Sequence, residues 1–499
     1  EEVEALLAEY APWARRAVEW KKARNSDLQA MQFPFPAYRP GQRAMAGEVY
    51  KVCRDGGQLL CQAPTGIGKS MSVLFPALKS MGNERVGPIF YLTARGTTRT
   101  AAENALAILR DTEPELHLRS VTLTAKDKIC LCETRECTPE ACPYANGYYA
   151  RIKGALWDVL DVPCLTAETL QEYAERHTVC PFELGLDSSL WSDVIIGDYN
   201  YLFDPVVHLV RFFESAGDYI FLVDEAHNLP GRAREMHSAA LTKTSFYEAK
   251  KLLGKGKSSL KNALTKVNDV FIEWRHRAEE ETAARDGRFG KTFFLKERSE
   301  EFDHLLNRLC EPLEAWLDDH REPDETHTAL LQLYFDVRAW LRVADTFDDH
   351  FVLQITASGS EVRAAQLCLD PSAFLADSFA LGRAAVLFSA TLAPASYYKD
   401  LCGVPEARAV TLRSPFPAGN QGLFCIGNVS TRYKDRDASL AIVEESLATM
   451  VRARCGNYLA FFPSYAYMEQ AYAQFKEHCP EINCIKQENA MDEQQKAAF

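Results

Sequence analysis

The octapeptide APTGIGKS at residues 63–70 constrains the fold more than any other stretch of this chain. It follows a short apolar run, QLLCQ, and leads into MSVLFPALK, which has helical spacing. A strand feeding a glycine-bearing turn that opens a helix aims backbone N–H groups and a helix N-terminus at one point, which suits a phosphate. Thr65, Gly66 and Gly68 shape the loop. Lys69 is placed for the β- and γ-phosphates of ATP, and the Ser70 hydroxyl for Mg²⁺. Ala63 stands where simpler loops of this kind carry their first glycine.

Such a loop needs a parallel sheet beneath it, and the chain supplies the strands. QLLCQA (58–63), PIFYLT (88–93), DVIIGD (193–198), YIFLVD (219–224), AAVLFSAT (384–391) and NYLAFF (457–462) are short apolar runs, bounded by turn or cap residues. Most precede a helical pattern, so the expected class is α/β with a parallel sheet. Two insertions break the order. One, about 121–182, is rich in cysteine. The other, about 243–373, is mostly helical by period and ends in FVLQITASGSEVRAAQLCLD, whose alternation around Ser-Gly-Ser reads as a hairpin.

With 499 residues, two or more domains are expected. No apolar run approaches the ~20 residues of a membrane span. The N-terminal EEVEALLAEYAPW is acidic and amphipathic, unlike a signal peptide, and lacks an initiating Met, so the chain reads as trimmed. A cytoplasmic protein with no membrane partner is expected. The net charge of −13 excludes a generally basic surface but not a locally basic groove. Residues 243–266 hold seven Lys against one Glu, a run that reads first as a solvated helix face.

FLVDEAHN (221–228) ends an apolar strand in two adjacent carboxylates. Asp224 is placed to hold Mg²⁺, and Glu225 to polarise an attacking water, with Lys69 completing the catalytic set. Six of the fifteen cysteines (Cys130, Cys132, Cys137, Cys142, Cys164 and Cys180) fall within 51 residues. Disulfides are not expected in a reducing compartment, so a metal site is. There is no paired C-x-x-C knuckle, and the spacing leaves an iron–sulfur cube and zinc both open.

Taken together, A-x-x-G-x-G-K-S, DEAH and SAT (389–391) resemble the superfamily 2 helicases, which tolerate Ala at the first loop position. FPFPAYRPGQ (33–42) resembles their adenine-reading element, with Gln42 as the reader. YLTARGTT (91–98) resembles their DNA-backbone motif, giving Thr93 and Arg95, although helix capping explains those two equally well. Ser389 and Thr391 would couple the nucleotide to movement. KDKIC, REC, EACPYANGYYARI and HTVCPFE, placed between the phosphate loop and DEAH, resemble the cluster-ligand contexts of the XPD and DinG branch. GDYNYLFDP (197–205) and LRSPFP (412–417) resemble other motifs of the same branch.

The resemblance implies a bacterial, nucleoid-associated and monomeric helicase with a [4Fe–4S] cluster on Cys130, Cys137, Cys142 and Cys180. It leaves Cys132 and Cys164 as bystanders, with Cys132 competing with Cys130. The motor would pull single-stranded DNA 5′→3′ from a fork past the cluster domain. Tyr144, Tyr148, Tyr149, Arg151 and Lys153 are of the types that stack bases and hold phosphates, or else pack a small domain. The implied layout is an N-terminal helical linker (1–32) and lobe 1 in three parts (33–120, 183–242, 374–407). A cluster domain (121–182) and an arch (243–373) are inserted, and an incomplete lobe 2 follows (408–499). No Q-x-x-G-R element occurs, so weak turnover is expected of these residues. An ATP-gated DNA clamp without catalysis and a zinc-stabilised RNA-dependent ATPase are the rival expectations.

Overall fold

The computed structural model describes residues 2–491 and 495, apart from 84–85, 95, 135, 255, 257, 285–290, 323, 428, 431 and 490. The chain divides into two compact units, Glu1–Pro415 and Phe416–Phe499.

In the first unit the strands are β1 (Gly57–Gln62), β2 (Ile89–Thr93), β3 (Ser120–Thr122), β4 (Cys164–Leu165), β5 (Val194–Asp198) and β6 (Ile220–Asp224). They continue with β7 (Ala239–Thr242), β8 (Thr292–Leu295), β9 (Phe351–Ser358), β10 (Glu361–Cys368), β11 (Ala384–Ser389) and β12 (Arg408–Thr411). Eight form one sheet in the order β12-β1-β11-β6-β2-β5-β3-β4, and every pairing in it is parallel. Successive residues of a strand face opposite sides. Leu59, Cys61, Tyr91, Ile196, Leu222 and Phe388 therefore join one buried layer, and Leu60, Phe90, Leu92, Ile195, Val223 and Leu387 the other. Burial on both faces is why these strands read as unbroken apolar runs.

Register brings the functional ends together. Gln62 pairs with Ser389, Phe388 with Asp224, and Thr93 with Asp198, so the carboxyl ends of β1, β11, β6, β2 and β5 share one edge. In open parallel sheets that edge is where ligands bind.

The cysteine-rich segment is stitched into the sheet at both margins. β3 pairs with β5, and β4 pairs with β3. Between them lie Lys126–Ile129 and the helix Tyr148–Val159, and the helices Ala167–His177 and Pro181–Ser189 lead back to β5. The second insertion has its own core, in which helices Ser259–Ala284, Glu300–Asp319 and Glu325–Asp345 cover the antiparallel sheet β7-β10-β9-β8. The expected hairpin is β9–β10, paired from Phe351↔Cys368 to Ser358↔Glu361.

Two expectations are corrected. Residues 408–411, assigned to the start of lobe 2, pair as β12 with Leu59–Gln62 at the edge of the first sheet. NYLAFF is not a strand: Leu459 is 71% and Phe461 86% exposed. A strand needs a hydrogen-bonding neighbour, and no strand occurs among the described residues of 416–499. In that unit the helices Arg436–Ala453 and Tyr465–His478 meet through Leu440, Tyr467, Ala448 and Phe475. Among the described residues, no helix is long and apolar enough to cross a membrane.

Candidate active site

The phosphate loop leaves β1 at Gln62. Ala63 is fully buried, and its N–H donates to Ser389 O at 2.8 Å. It does not take a positive φ, so alanine fits there. Gly66 and Gly68 do, at +85° and +81°. A Cβ on Gly68 would also lie 3.0 Å from Gln42 Nε2, so both backbone and space require glycine.

Gln42 is buried, and its Oε1 accepts from Arg39 N at 3.0 Å. Arg39 Nη1 reaches Gly66 O at 2.7 Å, tying the segment 33–42 to the loop. Phe33 stacks on Tyr38 at 3.9 Å and stiffens that segment. Between it and the helix Gly96–Thr112 opens a cavity of about 340 Å³, with Gln42, Lys69 and Ser70 on one side and Phe35, Ala105 and Ile108 on others. Apolar walls with a few converging polar groups suit a base and its phosphates. Thr65 is exposed at the loop's tip.

β6 delivers the carboxylates. Asp224 is 4% exposed; its Oδ2 accepts from Tyr91 OH at 2.8 Å and its Oδ1 from Glu225 N at 2.8 Å. Burial pushes its carboxyl up to about 6, and the Glu225 charge adds to the rise, against the Tyr91 hydrogen bond and the Lys69 charge. The Tyr91 hydroxyl also lies 3.3 Å from Ser70 Oγ, so it bridges the two groups expected to meet at Mg²⁺. Tyr199 OH donates to Asp224 O. Glu225 takes φ +48°, a strained conformation for a side-chain-bearing residue. Its Oε1 lies 3.9 Å from Lys69 Nζ, while its Oε2 accepts from Ser389 Oγ at 2.9 Å. His227 Nδ1 lies 2.7 Å from that same Ser389 oxygen, which Thr391 N approaches at 3.4 Å. Lys69, Ser70, Asp224, Glu225, Ser389 and Thr391 are thus one connected constellation. Tyr91, Tyr199 and His227 belong to it and were missed; a tyrosine two residues before the end of an otherwise apolar strand was the available signal.

The other expected residues are dispersed. Thr93 is buried at the end of β2, where its carbonyl accepts from Tyr199 N at 3.1 Å. Arg95 lies outside the described residues. Tyr148 is buried and donates to Asp187 Oδ2 at 2.7 Å, so it packs rather than presents a ring for stacking. Arg151 Nε donates to Thr178 O at 2.9 Å and its Nη2 to Pro143 O at 3.1 Å, clamping the cysteine-rich turn. Lys153 pairs with Glu9 at 2.7 Å. Tyr149, 88% exposed, is the one of these side chains that offers an open aromatic face.

All the described cysteines are free. Cys132 and Cys142 approach to 3.8 Å between sulfurs, and the Cys130 and Cys142 thiols both help burial push the Cys132 thiol up to about 11. Cys132, set aside in the sequence reading, is therefore in the group. Cys137 is exposed, and Cys180 caps the helix Pro181–Ser189. The donor chemistry fits a metal cluster, but among the described residues a four-ligand cradle is not assembled. Among the described residues no three Cys, His, Asp or Glu side chains are arranged to hold a metal ion.

A phosphate loop on a parallel sheet with an acidic strand end beside it is the α/β arrangement that the superfamily 2 resemblance leads one to expect. Residues 112–246 match the DEAD_2 family. The chain is 22% identical to the general transcription and DNA repair factor IIH helicase subunit XPD/RAD3 of Saccharomyces cerevisiae, matching 89% of this chain and 70% of that protein. It is 22% identical to the regulator of telomere elongation helicase 1 homolog of Drosophila yakuba over 42% of this chain, which spans about a quarter (26%) of that protein. Among solved structures, an XPD helicase superposes with a TM-score of 0.54 at 17% identity, covering 93% of this chain and 78% of that one. These likenesses support an XPD/DinG-like reading of the chain within the superfamily 2 helicases.

Proposed function

We propose that this chain is the motor of an ATP-dependent DNA helicase of repair type, moving 5′→3′ on single-stranded DNA from forked substrates and working as a monomer. One observation carries the reading: Glu225 joins Lys69 on one side and Ser389 on the other. A single carboxylate thus links the phosphate-facing lysine to the strand that leads out of the site.

In the proposed chemistry Lys69 draws the β- and γ-phosphates, and the loop N–H groups around Gly66 and Gly68 hold their oxygens. Ser70 and Asp224 would hold Mg²⁺, which would neutralise phosphate charge, and Tyr91 positions both side chains. Glu225 orients the attacking water and accepts its proton, and ADP and phosphate leave. Release of the γ-phosphate frees Lys69, and the Glu225–Ser389–His227 bonds pass the change to Thr391, beyond β11. Gln42 reads the adenine edge. Thr93, Arg95 and Tyr149 are proposed for DNA. Cys130, Cys137, Cys142 and Cys180 are the proposed ligands of a [4Fe–4S] cluster, whose support is the thiol clustering itself. When bound, the cluster would cross-link a loop-rich segment, and the ATPase chemistry runs through none of these thiols.

The Q-x-x-G-R element that carries arginine fingers does not occur in these 499 residues. An arginine finger supplies ~10³–10⁵ in rate in related phosphoryl transfer, so these residues alone should bind ATP yet turn it over slowly. The test is ATP hydrolysis and strand separation by the natural full-length protein on duplexes with 5′ or 3′ overhangs. DNA-stimulated hydrolysis with opening from the 5′ overhang is expected. Binding without hydrolysis would replace the reading with an ATP-gated clamp. Stimulation by RNA alone, with zinc in place of iron, would replace it with an RNA-dependent ATPase.

A further inference from the structure

The helix Glu2–Ala30, expected to be a linker, makes specific bonds at three places along its length. Near its middle the Trp13 ring lies 4.9 Å edge-on to Trp157 and 5.3 Å from Trp191. One turn later the Arg16 guanidinium sits 4.6 Å over the Trp157 ring, donates to Trp157 O at 3.3 Å and pairs with Asp161. Trp157 belongs to the helix Tyr148–Val159, which leaves the cysteine-rich turn just after Cys142.

Farther along, Trp20 Nε1 and Arg24 Nη1 both bond the Asp193 carboxylate, at 3.1 and 2.7 Å, just before β5. Arg119 covers the Trp20 ring at 3.5 Å. Arg24, Arg119 and Asp193 are all buried. At its end, Gln29 Nε2 donates to Gly82 O at 2.7 Å, and Lys79 Nζ donates to Gln29 O and Met31 O at 2.5 and 3.0 Å. Lys79 and Gly82 close the helix that begins at Lys69 and Ser70, which line the cavity beside the phosphate loop. From Met31 the chain runs directly into the segment that carries Gln42.

We propose that this helix is a strut that holds the cysteine-rich segment in fixed register with the phosphate loop, with Trp13, Arg16 and Arg24 as positioning residues for duplex opening. The proposal rests on the helicase reading above. A wedge parts two strands only if it resists the pull of the motor. The cysteine-rich segment meets the sheet through the two-residue strand β4, the short strand β3 and a shared core, in which Ile152, Ala155 and Leu184 lie with Leu60, Phe90 and Ile195. To this non-directional packing the helix adds directed contacts: an aromatic trio near its middle, a buried ion pair farther along and backbone-directed bonds at its end. A buried Arg–Asp pair contributes geometry more dependably than stability, which is what a strut requires. A helix present only to cover apolar surface would not need bonds aimed at the two ends of one functional path.

The test uses the natural full-length protein with Trp13→Ala, Arg16→Ala and the conservative Trp13→Phe, read by hydrogen exchange, single-strand-stimulated ATPase and duplex opening. Trp13→Ala should speed amide exchange in residues 148–159 about tenfold, the effect of removing one or two aromatic contacts, with 69–81 unchanged. Opening should fall about tenfold while ATPase stays within about twofold, Trp13→Phe should restore opening, and Arg16→Ala should act in the same direction as Trp13→Ala. Unchanged exchange in 148–159 would overturn the strut. So would ATPase and opening falling in parallel, because the helix would then be general scaffolding. If the wild-type protein opens no duplex, the helicase reading fails instead, and the exchange of 148–159 alone decides whether the helix braces that segment.

Discussion

The nucleotide edge of the sheet and the cysteine-rich segment are both proposed sites for an inorganic partner, yet they are assembled by different means. At the sheet edge, parallel register fixes where Gln62, Asp224, Thr93 and Ser389 stand, and the polar groups are already bonded to one another. In the cysteine-rich segment, Cys130, Cys137 and Cys142 lie outside regular helix and strand, where no strand register fixes their spacing. A backbone-built site is preorganised without its ligand, whereas a loop-built one is organised by what it binds. The sharpest way to break this contrast is to ask whether each site can lose its chemistry without losing its shape.

Glu225→Gln carries the largest expected effect. It keeps the hydrogen bond to Ser389 and removes the base, so ATP turnover should fall ~10²–10⁴-fold with nucleotide affinity and melting temperature nearly unchanged. A parallel loss of binding, measured with a fluorescent nucleotide, would mean the edge is not preorganised. Cys142→Ser should show the opposite pattern. Bound iron and its visible absorbance should disappear, and proteolysis should begin within 130–142, while nucleotide affinity is kept.

Asp224→Asn tests what preorganisation does to stability. Burial raises the Asp224 carboxyl from 3.8 to about 6, so the fold disfavours its charged form. Below pH ~4 this destabilisation is absent. It grows as pH rises toward 6 and is complete above, amounting to about 3 kcal/mol. The ligand-free asparagine variant should therefore be the more stable protein at pH 8 and gain little at pH 4. Mg²⁺ with nucleotide should stabilise the wild type and reverse the order. Denaturant midpoints at the two pH values check this. Gly68→Ala comes next: its φ of +81° and the 3.0 Å approach to Gln42 should cost about 1–2 kcal/mol and weaken nucleotide binding about tenfold.

The same contrast explains what the sequence disclosed. Five of the six apolar runs are strands, because burial on both faces leaves an unbroken apolar signature. NYLAFF has that signature without a neighbouring strand, and pairing is not written in the residues of one strand. β12 escaped notice for a related reason: RAVT is short and half polar, and register alone identifies it. Lys69, Asp224 and Glu225 were legible because strand ends and glycine turns fix them locally. Tyr91 and His227 were not, because their roles depend on partners 133 and 162 residues away. Trp13 and Arg16, about 145 residues from Trp157 and Asp161, were hidden in the same way.

Tyr148 and Tyr149 give the smallest effects and the finest division, because they are adjacent and chemically alike. Tyr148 is buried and bonded to Asp187, which itself holds Arg211 at 2.8 Å. Tyr148→Phe leaves the ring and removes one hydrogen bond, so stability should fall by about 1 kcal/mol with no change in DNA affinity. Tyr149→Ala removes an exposed ring and should leave the melting temperature unmoved. If the cysteine-rich surface touches bases, single-strand affinity should fall by about 1–3 kcal/mol in this variant alone. Equal behaviour of the two variants in a single-strand titration would mean that this face of the segment packs the protein and meets no DNA.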